Sequence, residues 1–213
     1  MKGREILSVD PESPDREMIA RAAALIKKGG LVIFPTNTFY GLGAAAFDIE
    51  AVDRVFRVKE RDPQRPLPIL IADMADLDPL VRTIPQTATR LIEAFWPGGL
   101  TLVFHAADVV PQNLTGHTGK IGVRLAGHPV ASAMVKTAGS PVTATSANLS
   151  GKPGCTAVAG IDRRIKDRVD LVLDAGTLGG KKGSTVVDVT VEPPEILREG
   201  VISSQAVAKI VKM

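Results

Sequence analysis

The chain contains little of what disulfide-bonded proteins and metalloproteins are built from. Its 213 residues include one cysteine, Cys155, and three histidines. A single thiol cannot form an internal disulfide and has no second thiol with which to hold a metal ion. The histidines, His105, His117 and His128, lack the close spacing of zinc ligands. The sequence therefore predicts no protein-bound metal site. It also predicts an inert thiol, because no histidine lies near Cys155 in sequence.

Long apolar runs are also missing. The longest, such as Leu100–Phe104 and Ile69–Ala72, are too short to cross a bilayer, and the first residues lack the apolar segment of a signal peptide. We therefore expect a cytoplasmic protein with no membrane association. Hydrophobic residues make up 45% of the chain and charged residues 23%, which is typical of globular proteins. The length fits one domain over residues 1–213, and the formal net charge of +3 suits an anionic ligand.

Common nucleotide and hydrolase motifs are absent as well. The stretch GGKKGST at 179–185 is not a Walker A loop, because that motif needs Gly-Lys followed by Ser or Thr. The chain also lacks the dinucleotide fingerprint and the GxSxG nucleophile elbow. Any phosphate binding here must use a different scaffold.

Short apolar runs and helical spacing alternate irregularly along the chain. Strands are predicted at 6–9, 31–34, 68–72, 100–104, 121–125, 142–145, 171–173, 185–189 and 196–197. The first helix is predicted to begin with Ser13 as N-cap and Pro14 at the first position, and to end at Gly29. Further helices are predicted at 50–58, 85–95, 129–137 and 203–211. This mixture favours a single-domain α/β fold with one twisted mixed β-sheet and helices packed on it.

Hydroxyl, amide and cationic side chains recur near the ends of these elements. They are Thr36, Thr38, Lys59, Arg61, Arg124, Thr145, Ser146, Asn148, Ser184 and Arg198. Open α/β sheets bind ligands at the carboxyl ends of strands, and cations and hydroxyls suit a polyphosphate or a carboxylate. We expect these side chains to converge on one anion pocket. Each also has a local explanation, since Asn and Gly are common in loops and cations stabilise helix C-termini.

Seven segments together resemble the YrdC/Sua5 threonylcarbamoyl-AMP synthases. In chain order they are PTNTFYGLG (35–43), KER (59–61) followed by Pro66 and Leu67, FWPGGLT (95–101), VRLAGHP (123–129), TSANLSG (145–151), STVVD (184–188) and LREG (197–200). Each segment alone is weak evidence for the family, but the occurrence of all seven in the family's order is highly specific. The resemblance implies a twisted α/β fold with a positively charged concave face.

The resemblance also implies an activity. Members of the family make threonylcarbamoyl-adenylate from L-threonine, bicarbonate or CO2, and ATP, and release pyrophosphate. The product feeds the N6-threonylcarbamoyladenosine modification of tRNA, so separate transferase proteins are implied as downstream partners. Mg²⁺ is expected on the ATP phosphates.

Site roles follow from the matched positions. The resemblance assigns threonine contacts to Thr36, Thr38, Arg124 and Ser184. It assigns ATP contacts to Arg61, Ser146, Asn148 and Arg198, with Arg65 as an added cation near the phosphates. Lys59 and Arg61 are the expected catalytic residues.

Several positions depart from the family pattern, and they leave alternatives open. Leu70 replaces a histidine that some members place near threonine, and Asp62 stands where proline is common. These departures allow a related enzyme that uses a different amine. The basic surface also allows a module that binds tRNA or double-stranded RNA without catalysis.

Overall fold

The computed structural model describes residues 5–212. Within this range the strands are β1 Glu5–Ser8, β2 Val32–Phe34, β3 Gly41–Gly43, β4 Ile69–Ile71, β5 Leu100–His105, β6 Lys120–Leu125, β7 Val142–Thr143, β8 Thr145–Ser146, β9 Leu171–Asp174, β10 Thr185–Asp188 and β11 Glu195–Arg198. The helices are α1 Arg16–Lys27, α2 Ile49–Lys59, α3 Gln86–Phe95, α4 Gln112–Thr115, α5 Pro129–Ala138, α6 Arg163–Lys166 and α7 Ser204–Val211. Within residues 5–212 no helix is both long and apolar enough to cross a membrane.

The strands form two mixed sheets. One has the order β1-β9-β2-β3-β8 and the other β11-β10-β5-β6-β4-β7. The mixed α/β class is confirmed, but the strands do not form the single sheet that was predicted. The predicted strand 142–145 is divided between the sheets, since β7 pairs with β4 and β8 pairs with β3. Ala144 lies at the division, where its N–H donates to the carbonyl of Pro68 at 2.8 Å.

The segment after β2 forms a hairpin. β2 pairs antiparallel with β3, so residues 35–40 connect the two strands. Gly43 is a strand residue packed against an aromatic ring: a Cβ there would lie 2.6 Å from Cε1 of Phe34 and 2.7 Å from Cγ1 of Val142. Glycine is therefore required at this position for close packing.

The first helix begins two positions later than predicted, because its N-cap is Asp15 and not Ser13. The carboxylate of Asp15 accepts hydrogen bonds from the backbone N–H groups of Glu17 at 2.8 Å and Met18 at 3.2 Å. A carboxylate satisfies two unpaired helix donors and interacts favourably with the positive helix end.

Two apolar clusters hold the layers together. The smaller one joins α1 and α5 to one face of β2 and β9 through residues such as Ile26, Met134 and Leu171. The larger one lies under α2, α3 and the central strands, and includes Phe56, Leu91 and Leu102. These packed helices leave one face of the sheet β11-β10-β5-β6-β4-β7 uncovered, and the candidate site lies on that face.

Candidate functional site

A cavity of about 750 Å³ lies between this uncovered sheet face and the loops of the other sheet. Alternate residues of a strand point to the same side of the sheet. Lys120, Gly122 and Arg124 of β6 therefore all face the cavity and form part of its floor. Small-molecule sites typically occupy about 300–1,000 Å³. The cavity is therefore large enough for a nucleotide and a small second substrate.

Most of the predicted site residues meet in this cavity. Those that line it are Thr36, Thr38, Arg61, Arg65, Arg124, Ser146, Ser184 and Arg198. They come from six separate segments of the chain, so the fold brings them together. Lys59 and Asn148 are not among the lining residues. The individual ligand roles assigned to all ten stay predictions.

Arg124 is the most deeply buried cation that lines the cavity. Its side chain is on β6, the residue is 7% exposed, and its Nε donates to the carbonyl of Gly98. Burial, reinforced by the nearby charge of Arg198, lowers the pKa of Arg124 to about 10. The fold thus holds a cation in a place that disfavours its charge, which an anionic ligand would offset.

Ser184 and Arg198 form a linked pair at the start of β10 and the end of β11. Arg198 donates to the carbonyl of Ser184 through Nη2 at 2.8 Å and to its hydroxyl at 3.0 Å. The same hydroxyl accepts a hydrogen bond from Thr101 at 2.9 Å. Both lone pairs of the Ser184 hydroxyl are then engaged, so its proton can be donated to a ligand oxygen.

The two threonines of the β2–β3 connection are ordered in a similar way. Thr36 donates its hydroxyl proton to the carbonyl of Phe39 at 2.7 Å, and its oxygen lies 3.1 Å from the hydroxyl of Thr38. Because the one proton of Thr36 is used, Thr38 is the donor in the contact between the hydroxyls. The Thr38 oxygen therefore presents lone pairs, which suit an amine or ammonium group.

Arg61 is fixed by the turn that follows α2. Its Nη2 donates to the carbonyl of Pro66 at 2.8 Å and its Nε to that of Arg65 at 3.2 Å. Burial, followed by repulsion from Arg65 and Arg198, lowers the pKa of Arg61 and outweighs the opposing effect of Asp62. The turn holds the planar guanidinium in a cavity wall, where it can bind phosphate oxygens.

Lys59 lies behind the cavity wall. It is 1% exposed, and its ammonium donates to the carbonyls of Ser146 and Asn148, the latter at 2.6 Å. Burial, followed by repulsion from Arg61, lowers its pKa from 10.5 to about 7. Asn148 is also turned inward, and its amide donates to the carbonyls of Leu149 and Lys152. Both side chains therefore donate hydrogen bonds to main-chain carbonyls of β8 and the loop that follows it.

The cavity is strongly positive. Six cationic side chains line it, Arg61, Arg65, Lys120, Arg124, Lys152 and Arg198, against two carboxylates, Asp188 and Glu199. Within residues 5–212 none of the four arginines has a salt-bridge partner, whereas Lys120 pairs with Asp188 at 2.8 Å. The positively charged concave face expected from the sequence is present.

Sequence reasoning assigned no role to several lining residues. Lys120 lies four residues before Arg124 on one strand, so the alternation of side chains could have predicted that both face the cavity. Thr101 and Asp188 could not be found this way, since their roles depend on partners in neighbouring strands. Burial raises the pKa of Asp188, but hydrogen bonds from Lys120 and Thr190 outweigh it and lower the pKa overall. Among the described residues, no group of three or more His, Cys, Asp or Glu could hold a metal ion.

The sequence and the fold match a known family. The family model Sua5_yciO_yrdC, described as telomere recombination, matches residues 24–200. A threonylcarbamoyl-AMP synthase of Pyrococcus abyssi is 39% identical over 89% of this chain and 56% of its own length. A putative threonylcarbamoyl-AMP synthase of Mycobacterium tuberculosis is 37% identical over 94% of this chain and 92% of its own length.

Solved structures agree. The crystal structure of P. abyssi Sua5 complexed with L-threonine superposes with a TM-score of 0.92 and 38% identity, covering 96% of this chain and 60% of that one. The structure of Escherichia coli YciO superposes with a TM-score of 0.85 and 28% identity, covering 93% of this chain and 96% of that one. The chain belongs to the Sua5/YciO/YrdC family. It spans little more than half the length of the P. abyssi relative.

Proposed function

We propose that residues 1–213 form one catalytic domain that makes L-threonylcarbamoyl-adenylate from L-threonine, bicarbonate or CO2, and ATP, with release of pyrophosphate. The observation that carries the proposal is the group of arginines, Arg61, Arg65, Arg124 and Arg198, which faces one cavity without salt-bridge partners among the described residues. Arg124 is buried and Arg61 is half-buried, whereas Arg65 and Arg198 are exposed. Guanidinium groups that line one cavity without carboxylate partners are suited to a polyphosphate and a carboxylate bound side by side.

Two adjoining groups of lining residues suit the two ligands. We assign the amino acid to Thr38, Arg124 and Ser184. Arg124 would bind its carboxylate, the Ser184 hydroxyl would donate to the same group, and the Thr38 oxygen would accept from its amine. Arg61, Arg65, Ser146 and Arg198 would hold the phosphates. L-threonine in the P. abyssi Sua5 structure supports this choice of amino acid.

The reaction needs little covalent help from the protein. The threonine amine attacks CO2 and loses a proton, which gives a carbamate. A carbamate oxygen then attacks the α-phosphorus of ATP, a new P–O bond forms, and the bond to the pyrophosphate leaving group breaks. Catalysis of such a transfer depends mainly on alignment and on neutralising the charge of the leaving oxygens. Arg61, Arg65 and Arg198 would neutralise that charge.

Mg²⁺ would enter with ATP. Magnesium in nucleotide sites is commonly held by substrate phosphates and one or two carboxylates. The described residues offer no acidic cluster, and the cavity carboxylates are Asp188 and Glu199. The phosphates would therefore supply its main ligands, and its bound charge would add to that of the arginines.

The product would feed tRNA modification in the cytoplasm through separate transferase proteins. Measuring tRNA binding by variants of the cavity arginines tests whether the positive face also contacts the RNA. Leu70 is the register partner of Arg124 in the β4–β6 pair and presents an apolar side chain to the cavity. The alternative function is therefore a related enzyme that uses a different amine. A panel of amino acids in place of L-threonine separates the two activities.

The test is threonine-dependent pyrophosphate release by an Arg61→Ala variant. We expect a loss of at least about 100-fold, since removal of one charge-stabilising donor typically has this effect. Arg57→Ala is the matched control, because Arg57 lies on the exposed side of α2, four residues before Arg61. Near-native turnover by Arg61→Ala, with the control equally active, would refute the assignment.

A further inference from the structure

The end of α2 and the loop after β8 are joined by a buried lysine. Lys59 donates through its ammonium to the carbonyls of Ser146 and Asn148. Its own carbonyl accepts a hydrogen bond from the N–H of Ser150 at 2.8 Å. One residue thus contacts the loop three times, by side chain and by main chain, although the loop lies 87 residues away in sequence at Ser146.

Asn148 closes the same loop from within. Its amide nitrogen donates to the carbonyls of Leu149 at 2.8 Å and Lys152 at 2.7 Å. Ser146 and Lys152, at the two ends of this segment, line the cavity, whereas Lys59 and Asn148 do not. The inner side chains hydrogen-bond to the main chain, and the outer ones face the cavity.

We propose that Lys59 and Asn148 are positioning residues that hold the segment 146–152 so that the Ser146 hydroxyl faces the ATP phosphates beside Arg61. The inference rests on the proposed function for the identity of the ligand, but the positioning itself is a property of the ligand-free fold. It replaces the direct catalytic role expected for Lys59 and the direct ATP contact expected for Asn148.

A direct role for Lys59 fits the geometry less well. Two of the three ammonium protons are directed at carbonyl oxygens, and the residue is 1% exposed. Arg61, two residues further on, does line the cavity. A buried ammonium bonded to two carbonyls that are distant in sequence fixes a chain conformation, whereas the guanidinium at the cavity wall is accessible to phosphate.

The test is a double-mutant cycle on the full chain. Lys59→Met keeps the length of the side chain and removes its donors, and Ser146→Ala removes the hydroxyl that Lys59 is proposed to position. We expect Lys59→Met to weaken binding of a non-hydrolysable ATP analogue roughly tenfold in the wild-type background and less than about threefold in Ser146→Ala. Combined with Ser184→Ala, on the amino-acid side, the same change should keep its full effect.

Hydrogen exchange provides a second readout that needs no turnover. In Lys59→Met the amides of 146–152 should exchange at least about tenfold faster, with α5 unchanged. Asn148→Ala repeats both measurements should Lys59→Met fail to fold. Arg57→Met, on the exposed side of α2, is the control for loss of a cation.

The outcomes separate the two proposals. Wild-type protein that releases no pyrophosphate with L-threonine overturns the proposed function, while hydrogen exchange still decides the positioning role. Equal effects of Lys59→Met in the wild-type and Ser146→Ala backgrounds, or unchanged exchange at 146–152, overturn the positioning role. Coupling to Ser146 with faster exchange supports it.

Discussion

Replacing Arg124 by methionine should stabilise the protein and abolish binding of the amino acid. The guanidinium is almost completely buried, and its pKa falls to about 10 because burial and the charge of Arg198 disfavour the charged form. A shift of this size corresponds to a cost of about 3 kcal/mol to folding. Methionine removes the charge and fills a similar volume, and such replacements of buried charges are often stabilising.

The gain is partly offset by one lost hydrogen bond. Arg124 donates to the carbonyl of Gly98, and leaving that oxygen without its donor costs about 1–2 kcal/mol. The net expectation is a gain of about 1–2 kcal/mol, or a rise in Tm of a few degrees for a chain of this length. Because the folded-state pKa is lowered but stays near 10, the arginine is charged in both states at neutral pH. The gain should therefore be the same at pH 6 and pH 8.

The assay combines thermal unfolding with calorimetric binding of L-threonine. Arg57→Met, which replaces an exposed cation on α2, should leave Tm within about 2 °C, because surface changes are usually within about 0.5 kcal/mol. A fall in Tm for Arg124→Met would show that burial of the guanidinium does not lower the stability of the folded protein. Unchanged threonine affinity would refute its assignment to the carboxylate.

Three further changes test other parts of the structure. Gly43→Ala should lower Tm by several degrees, because its Cβ would meet Phe34 and Val142 at less than 3 Å; an unchanged Tm would contradict the packing. The lowered pKa of Lys59 means that the folded protein binds fewer protons than the unfolded chain above about pH 7. The free energy of unfolding should therefore rise between pH 7 and pH 9 by up to roughly 1 kcal/mol per unit, and urea unfolding of Lys59→Met should lack this slope. Raising the salt concentration from about 0.1 M to about 1 M should weaken ATP binding severalfold, measured by calorimetry, and equal affinity at both would argue against a charge-dominated site.

Much of the fold follows from local sequence patterns. The apolar runs that became β5 and β6 are long enough to be recognised, and α5 begins with Pro129 and ends before Gly139, as end signals predict. α4 and α6 have four residues each, which is too short for helical periodicity to appear.

The division into two sheets could not be predicted locally. β3 is Gly41–Gly43, and strands rich in glycine carry no β-propensity signal. Its assignment depends on pairing with β8, about a hundred residues further along the chain. A continuous apolar and hydroxyl run at 142–146 gives no sign that Ala144 separates two strands.

The residue types that form the site could be predicted from the sequence, but the burial of each side chain could not. Arg124 and Arg198 were recognisable because a cation at the end of a strand must reach solvent, a partner or a ligand. Lys59 shows the limit: a cation at a helix C-terminus is ordinarily solvated, and only the fold shows that its ammonium is enclosed by carbonyls of a distant loop.

The central claim is that one cationic cavity joins an amino acid, a one-carbon unit and adenylate. The most direct measurement is mass spectrometry of the product formed from ATP, isotopically labelled bicarbonate and L-threonine. We predict an adenylate that contains threonine and the labelled carbon, formed in step with pyrophosphate. Pyrophosphate release without amino acid, or an adenylate that lacks the label, would contradict the account.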